Sequence, residues 1–223
     1  PKYREQLLLV DFLCHGTGTQ KVFDMCINQE QVKKNGKIVD FAFRAKTRKA
    51  EHSFRYVLRR SKGDKTVSGY SFEFPYYNSY LKYNIFNEYC YECKYALNSR
   101  VGDITLGDFW KINKYNKSLD EKQGVSMISV NTDIGRIYFE QIRNACLVYE
   151  YPIEFASDNN QAFRENVNED CRKAKHMLEK VLYQDGEAAL VDRLGTENVK
   201  KQIIYAKTPK FVKILWNRAR GRK

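Results

Sequence analysis

An α/β or α+β fold, a mixed β-sheet with flanking helices and a helical C-terminal extension, is predicted by three observations. Short apolar or alternating runs recur at 7–13, 38–43, 53–60, 65–74, 102–108, 125–130 and 146–151, the lengths and patterns of strands. Three- and four-residue apolar spacing over 20–34, 75–86 and 133–145 places helices between them. Beyond residue 157 strand patterns stop and helical spacing takes over, which suggests a division into 1–156 and 157–223.

The elements follow in order. Leu7-Leu8-Leu9-Val10-Asp11-Phe12-Leu13 is nearly continuous in apolar residues, the pattern of a strand buried on both faces. Cys14-His15-Gly16-Thr17-Gly18-Thr19 then leads into the 20–34 helix, whose stripe is Val22, Phe23, Cys26 and Ile27. Thr17 or Thr19 suits its N-cap. A strand, a glycine-bearing loop and a helix can hold a phosphate on backbone N–H groups, or can be an ordinary turn. Asn35-Gly36 turns the chain into the alternating 38–43 run, and 61–64 joins 53–60 to 65–74 as a hairpin. Basic residues gather here: Arg44, Lys46, Arg48, Lys49, Arg55, Arg59 and Arg60. They suit a cofactor diphosphate, an acidic partner or a solvated sheet face.

A helix over 75–86, packing through Tyr76, Tyr80, Leu81 and Tyr83, delivers the chain to Cys90. In the 102–108 strand Ile104 and Leu106 share a face and Thr105 takes the other. The 125–130 strand precedes the 133–145 helix, with Ile134, Ile137, Tyr138, Gln141 and Ile142 on its inner face. The extension is helical over 160–183, 187–194 and 197–205, with Cys171 on its apolar stripe.

Thirty-nine Lys and Arg against 27 Asp and Glu give a net charge of +12, which favours anionic partners without choosing among them. No signal peptide and no run long enough to span a bilayer is visible, and six unevenly spaced cysteines do not form a secreted disulfide framework. The expected compartment is the reducing cytoplasm. The sequence has no GxGxxG and no P-loop, and no Ser–His–Asp or metalloprotease motif.

The chemistry concentrates between Cys90 and Trp110. Cys90 and Cys93 stand in a Cys-x-x-Cys, a spacing that lets both sulfurs meet one zinc ion or one iron–sulfur cluster, or form a redox dithiol. Cys14, after a strand and beside a polar loop, is the best third thiol, whereas Cys26 and Cys171 read as core residues. For zinc, His15 would be the fourth ligand, but adjacent Cys14 and His15 would have to bend sharply to share one ion. Asp103, Thr105, Gly107 and Asp108 sit beside the pair, as cofactor-lining groups or as residues that cap and turn the strand.

Three elements together resemble the C-terminal domain of the coenzyme F420 hydrogenase/dehydrogenase beta-subunit family. They are Cys14-His15-Gly16, the string Asp103-Ile104-Thr105-Leu106-Gly107-Asp108-Phe109-Trp110 after Cys-x-x-Cys, and Lys122-Gln123-Gly124-Val125-Ser126 running to Val130-Asn131-Thr132. They occur in the family's order over roughly 6–142. The chain departs from the family's pattern at Thr17-Gly18, where Val-Pro is usual, and at Lys111, where Gly is more frequent.

The resemblance implies an oxidoreductase passing electrons between a [4Fe-4S] cluster and FAD. It implies Cys14, Cys90 and Cys93 as metal ligands, with a fourth cysteine before residue 1, and His15, Gly16, Asp103, Thr105, Gly107 and Asp108 as cofactor-binding residues. The 1–156 segment corresponds to the family's domain. The chain is therefore expected to be the C-terminal part of a longer protein, and its partner a ferredoxin-like N-terminal region or an electron-donor protein. Bacterial relatives occur with surface-polysaccharide genes, which makes a sugar intermediate an alternative substrate to a deazaflavin. The competing expectation is a non-catalytic zinc- or partner-binding module. From Lys207 onward only basic charges occur, interleaved with Phe211, Ile214, Leu215 and Trp216. That pattern suits docking on an anionic membrane, with nucleic acid or plain solvent the alternatives.

Overall fold

The computed structural model describes residues 3–45, 55–61, 66–96, 99–119, 124–160, 162–163, 169–195 and 198–219. The expected Lys46, Arg48, Lys49 and Lys122 lie outside these residues. The strands are β1 (Val10–Phe12), β2 (Ile38–Phe43), β3 (Arg55–Arg60), β4 (Thr66–Tyr70), β5 (Ile104–Asp108) and β6 (Ser126–Val130). The helices are α1 (Gln20–Lys34), α2 (Pro75–Leu81), α3 (Glu88–Tyr91), α4 (Asp133–Ile142), α5 (Ile153–Ser157), α6 (Glu169–Leu194), α7 (Val199–Lys207) and α8 (Lys210–Ala219). The architecture is α/β, with mixed strand pairing and a helical C-terminal region.

Two compact units form, one from Pro1–Thr17 and Phe86–Arg172, the other from Gly18–Ile85 and Lys173–Lys223. They cut the chain differently from a linear division at 156, because the second half of α6 shares a core with β2, β3 and β4. Trp110 falls in the first unit and Trp216 in the second.

In the first unit β5 is the central strand. It pairs parallel with β1, Ile104 opposite Val10 and Leu106 opposite Phe12, and antiparallel with β6, Leu106 opposite Ile128. One sheet face packs on a cluster of Phe109, Ile112, Met127 and Ala156, with Leu13, Tyr115, Tyr151 and Phe155 around it. Tyr115 stacks on Phe155 at 4.1 Å between centroids. Gly107 lets β5 pass close to Leu13, whose Cδ1 would lie 2.6 Å from a Cβ placed there.

The opposite sheet face corrects the expectation for β1. Val10 and Phe12 are exposed, Phe12 by 68%, so the apolar run is not buried on both faces. The 133–145 reading is corrected too. α4 turns Gly135 and Phe139 inward, while Ile137 (62% exposed), Tyr138, Gln141 and Ile142 face outward. Gly135 decides this: a Cβ there would sit 2.2 Å from the Asp103 carbonyl oxygen, so only glycine permits the approach. The 146–151 segment forms no ladder and is not a strand.

In the second unit β2, β3 and β4 make an antiparallel meander, with a register shift between Ile38 and Asp40. Its face carries an aromatic core: Phe41 stacks on Tyr56 at 5.4 Å, and Phe74 and Phe23 close around them. Val22, Phe23, Cys26 and Ile27 of α1 join that core, as their spacing predicts, and burial pushes the Cys26 thiol up to about 12. Leu190, Val191 and Leu194 of α6 seal it, and Asn78 donates to the Leu194 carbonyl at 3.2 Å. Thr19 stands at the N-cap of α1, but its hydroxyl donates to the Ile85 carbonyl at 3.1 Å and makes no cap bond. Arg60 is held by Glu30 and the Gly36 carbonyl, and Arg55 lies over the Tyr70 ring, so these two cations are structural. Gly186, at φ 86°, breaks α6 where a boundary between 183 and 187 is predicted.

Candidate active site

The Cys-x-x-Cys begins on α3, a four-residue helix in which the Cys90 N–H donates to the Asn87 carbonyl at 2.9 Å. The loop after β1 comes against it. The Thr17 N–H donates to Cys90 Sγ at 3.4 Å, and the Thr17 carbonyl accepts from the Asn87 N–H at 2.8 Å. Gly16 makes that approach. Its φ of 122° favours glycine, and a Cβ there would lie 2.3 Å from Phe86 Cε2. Phe86 is fully buried, and the His15 ring meets it edge-on at 5.4 Å. The Cys-His-Gly loop and the Cys-x-x-Cys are thereby brought side by side, by a contact between residues 73 positions apart.

Cys14 is exposed and Cys90 and Cys93 are half-buried. Among the described residues no three Cys, His, Asp or Glu side chains converge closely enough to hold a metal ion. The thiols are a soft donor set of the kind that suits iron–sulfur clusters or zinc. Arg172 braces α3 by pairing with Glu88 at 3.0 Å and Glu92 at 2.6 Å, one on each side of Cys90. Both carboxylates raise the Arg172 pKa, Glu92 most.

Beside this loop the start of β5 is tied down by polar groups. Asp103 is completely buried, and its carboxylate accepts from Arg4 at 2.6 Å, from the Leu9 N–H at 2.8 Å and from the Thr132 hydroxyl. These bonds, Arg4 first, hold its pKa down to about 2. The Thr132 hydroxyl also accepts from the Gly135 N–H, so one side chain caps α4 and clamps β5. Thr105, equally buried, accepts from the Asn131 amide at 2.8 Å, and that amide also reaches the Gly102 carbonyl at 3.0 Å. Asp11 adds a tie, accepting from Arg100 at 3.0 Å and from the Gly102 N–H at 3.3 Å. At the far end Asp108 is exposed, and its carbonyl accepts from the buried Asn160 amide at 3.0 Å.

With the site assembled, comparison with known families is decisive. The family model for the C terminus of the coenzyme F420 hydrogenase/dehydrogenase beta subunit matches residues 1–154. The chain belongs to this family. Comparisons with curated proteins and with solved structures each gave no match.

In this beta-subunit domain the motif residues divide by what their side chains do. Asp103, Thr105, Asn131 and Thr132 spend their hydrogen bonds inside the protein, and Gly16 and Gly107 permit close approach. Cys14, His15, Cys90, Cys93 and Asp108 retain at least partial exposure. The contact of Thr17 with Cys90 and the role of Arg172 are not foreshadowed by the sequence. Thr17 is weighed there as a helix cap, as part of the glycine-bearing loop and as a departure from the family's Val-Pro, and Arg172 meets its partners 84 and 80 residues away, so no local pattern signals it.

Proposed function

We propose that this domain works in an iron–sulfur flavoprotein oxidoreductase, with Cys14, Cys90 and Cys93 supplying thiolates to a [4Fe-4S] cluster completed from outside these 223 residues. The observation that carries the reading is the Thr17 N–H on Cys90 Sγ, which joins the loop of Cys14 to the Cys-x-x-Cys. An N–H donated to a ligating sulfur withdraws electron density from it and raises the potential of the centre. The cluster and FAD, when bound, supply one-electron and hydride chemistry. The chain's own residues set position. Gly16 packed on Phe86 fixes the loop, Arg172 braces α3, and the Asp103 clamp holds β5. His15 and Asp108 are the side chains of the expected cofactor set that keep some exposure, while Asp103 and Thr105 act as positioning residues. Of the remaining cysteines Cys26 is a poor ligand, since burial holds it as a thiol. The electron acceptor in this reading is a deazaflavin, as the family's description suggests, with a sugar intermediate of polysaccharide synthesis as the alternative.

The test is anaerobic purification of the chain and of an N-terminally extended form, with visible spectra and iron, zinc and flavin contents. The extended form should be brown or yellow with bound iron and flavin, and Cys90→Ser should remove the iron absorbance without unfolding it. A colourless, iron-free extended form, or one holding stoichiometric zinc, would sink the proposal.

A further inference from the structure

The C-terminal helices carry a feature that electron transfer does not use. From Val199 to Lys223 the chain has nine Lys and Arg and no Asp or Glu, most of the net charge of +12. α7 and α8 form a hairpin held on one side. Trp216 packs near Tyr205 at 6.0 Å between centroids, Lys213 Nζ lies 4.9 Å over the Tyr205 ring, and the same ammonium donates to the Ala206 carbonyl at 3.2 Å. Ile203 and Val212 are half-buried, whereas four large apolar side chains are left in solvent: Ile204 is 65% exposed, Phe211 66% and Leu215 61%, with Ile214 also exposed. Phe211, Ile214 and Leu215 follow the i, i+3, i+4 spacing of one helix face, and Arg218 lies three residues after Leu215 in the same helix. Lys200, Lys201 and Lys207 of α7 are exposed as well.

An apolar helical stripe beside charges of a single sign matches one surface in its chemistry. Anionic headgroups attract the ammonium and guanidinium groups, and the acyl boundary beneath them accepts the aliphatic and aromatic side chains. Phosphates of a nucleic acid would satisfy the charge, but they offer nothing to Ile204, Ile214 and Leu215. Among the described residues no helix is long and apolar enough to cross a membrane, so the fitting mode is lying on the surface. We infer that the α7–α8 hairpin docks this protein on an anionic lipid bilayer, with Phe211, Ile214 and Leu215 entering the headgroup region. This inference does not depend on the redox reading.

Vesicle flotation of the full chain tests it. Binding to phosphatidylcholine vesicles containing about one third phosphatidylglycerol should exceed binding to pure phosphatidylcholine roughly tenfold, and should fall severalfold between about 0.1 and 0.5 M salt. Phe211→Glu and Leu215→Glu, both at exposed positions and checked for unchanged helix content, should each lower binding to the anionic vesicles about tenfold. Lys200→Glu with Lys201→Glu should abolish the preference for anionic lipid. Equal binding to both vesicle types overturns the inference. So does undiminished binding by Leu215→Glu, or capture of duplex DNA that competes fully with the anionic vesicles.

Discussion

The two sheets are each held by different means. The β2-β3-β4 meander is a packing structure, its face filled by Phe41, Tyr56, Phe74 and the Leu190–Leu194 turn of α6. The β1-β5-β6 sheet is a wired structure. A buried carboxylate, a threonine and an asparagine fasten its strands, while Phe12 and Val10 remain in solvent. Packing tolerates hydrophobic substitution when volume is kept, whereas a buried polar network fails when one member leaves others unpaired. Two of the family's motif strings, at Asp103–Asp108 and at Ser126–Thr132, fall in or beside the strands of the wired sheet, and their polar residues are placed by hydrogen-bond partners more than by apolar period.

The largest effect should come from emptying the packed core. Phe74→Ala, at a fully buried ring, is expected to cost about 3–5 kcal/mol in urea unfolding. It should leave the acid limb of stability unchanged, and a shifted acid limb would mean the two sheets are not held separately.

Acid should act on the wired sheet. The Asp103 pKa is depressed to about 2, so its unfolded form binds the proton more tightly. Its contribution to stability is present above the unfolded value near 3.8 and is lost as pH falls through about 2. Circular dichroism between those values should show the wild type losing stability and Asp103→Asn losing less with pH from a lower start. Parallel acid limbs for the two proteins would refute the clamp.

The smallest effect concerns Lys111, which adopts a left-handed conformation at φ 59°. Glycine removes about 1 kcal/mol of backbone strain and gives back roughly half of that in unfolded-chain entropy. Lys111→Gly should therefore stabilise by about 0.5 kcal/mol, read as a small rise in Tm. A fall in Tm would show that contacts of the lysine side chain outweigh its backbone.

What the sequence discloses follows from this contrast. α1, β2, β5 and β6 fall where the apolar patterns put them, although in β5 the apolar Leu106 is exposed and Thr105 is fully buried. Period fails at α4, where the apolar count favours Ile134, Ile137 and Ile142. The helix instead lies on Gly135, whose value is the absence of a side chain. Glycine in the interior of an amphipathic helix was the available signal. Period fails again at β1, since an apolar run states only that burial would be favourable, not that a neighbour covers it. In the site, the motifs and their order are legible as strings. The Thr17–Cys90 contact, the Arg172 brace and the Arg4–Asp103 pair join residues 73 to 99 positions apart and have no local signature.

The distribution of the two tryptophans has a practical consequence. Trp110 belongs to the wired unit and Trp216 to the packed unit, and the chain has no other indole. Each unit thus carries its own intrinsic fluorophore, and replacing one indole by phenylalanine leaves emission from a single unit. The order in which the halves lose structure can then be followed in one cuvette without attaching a dye.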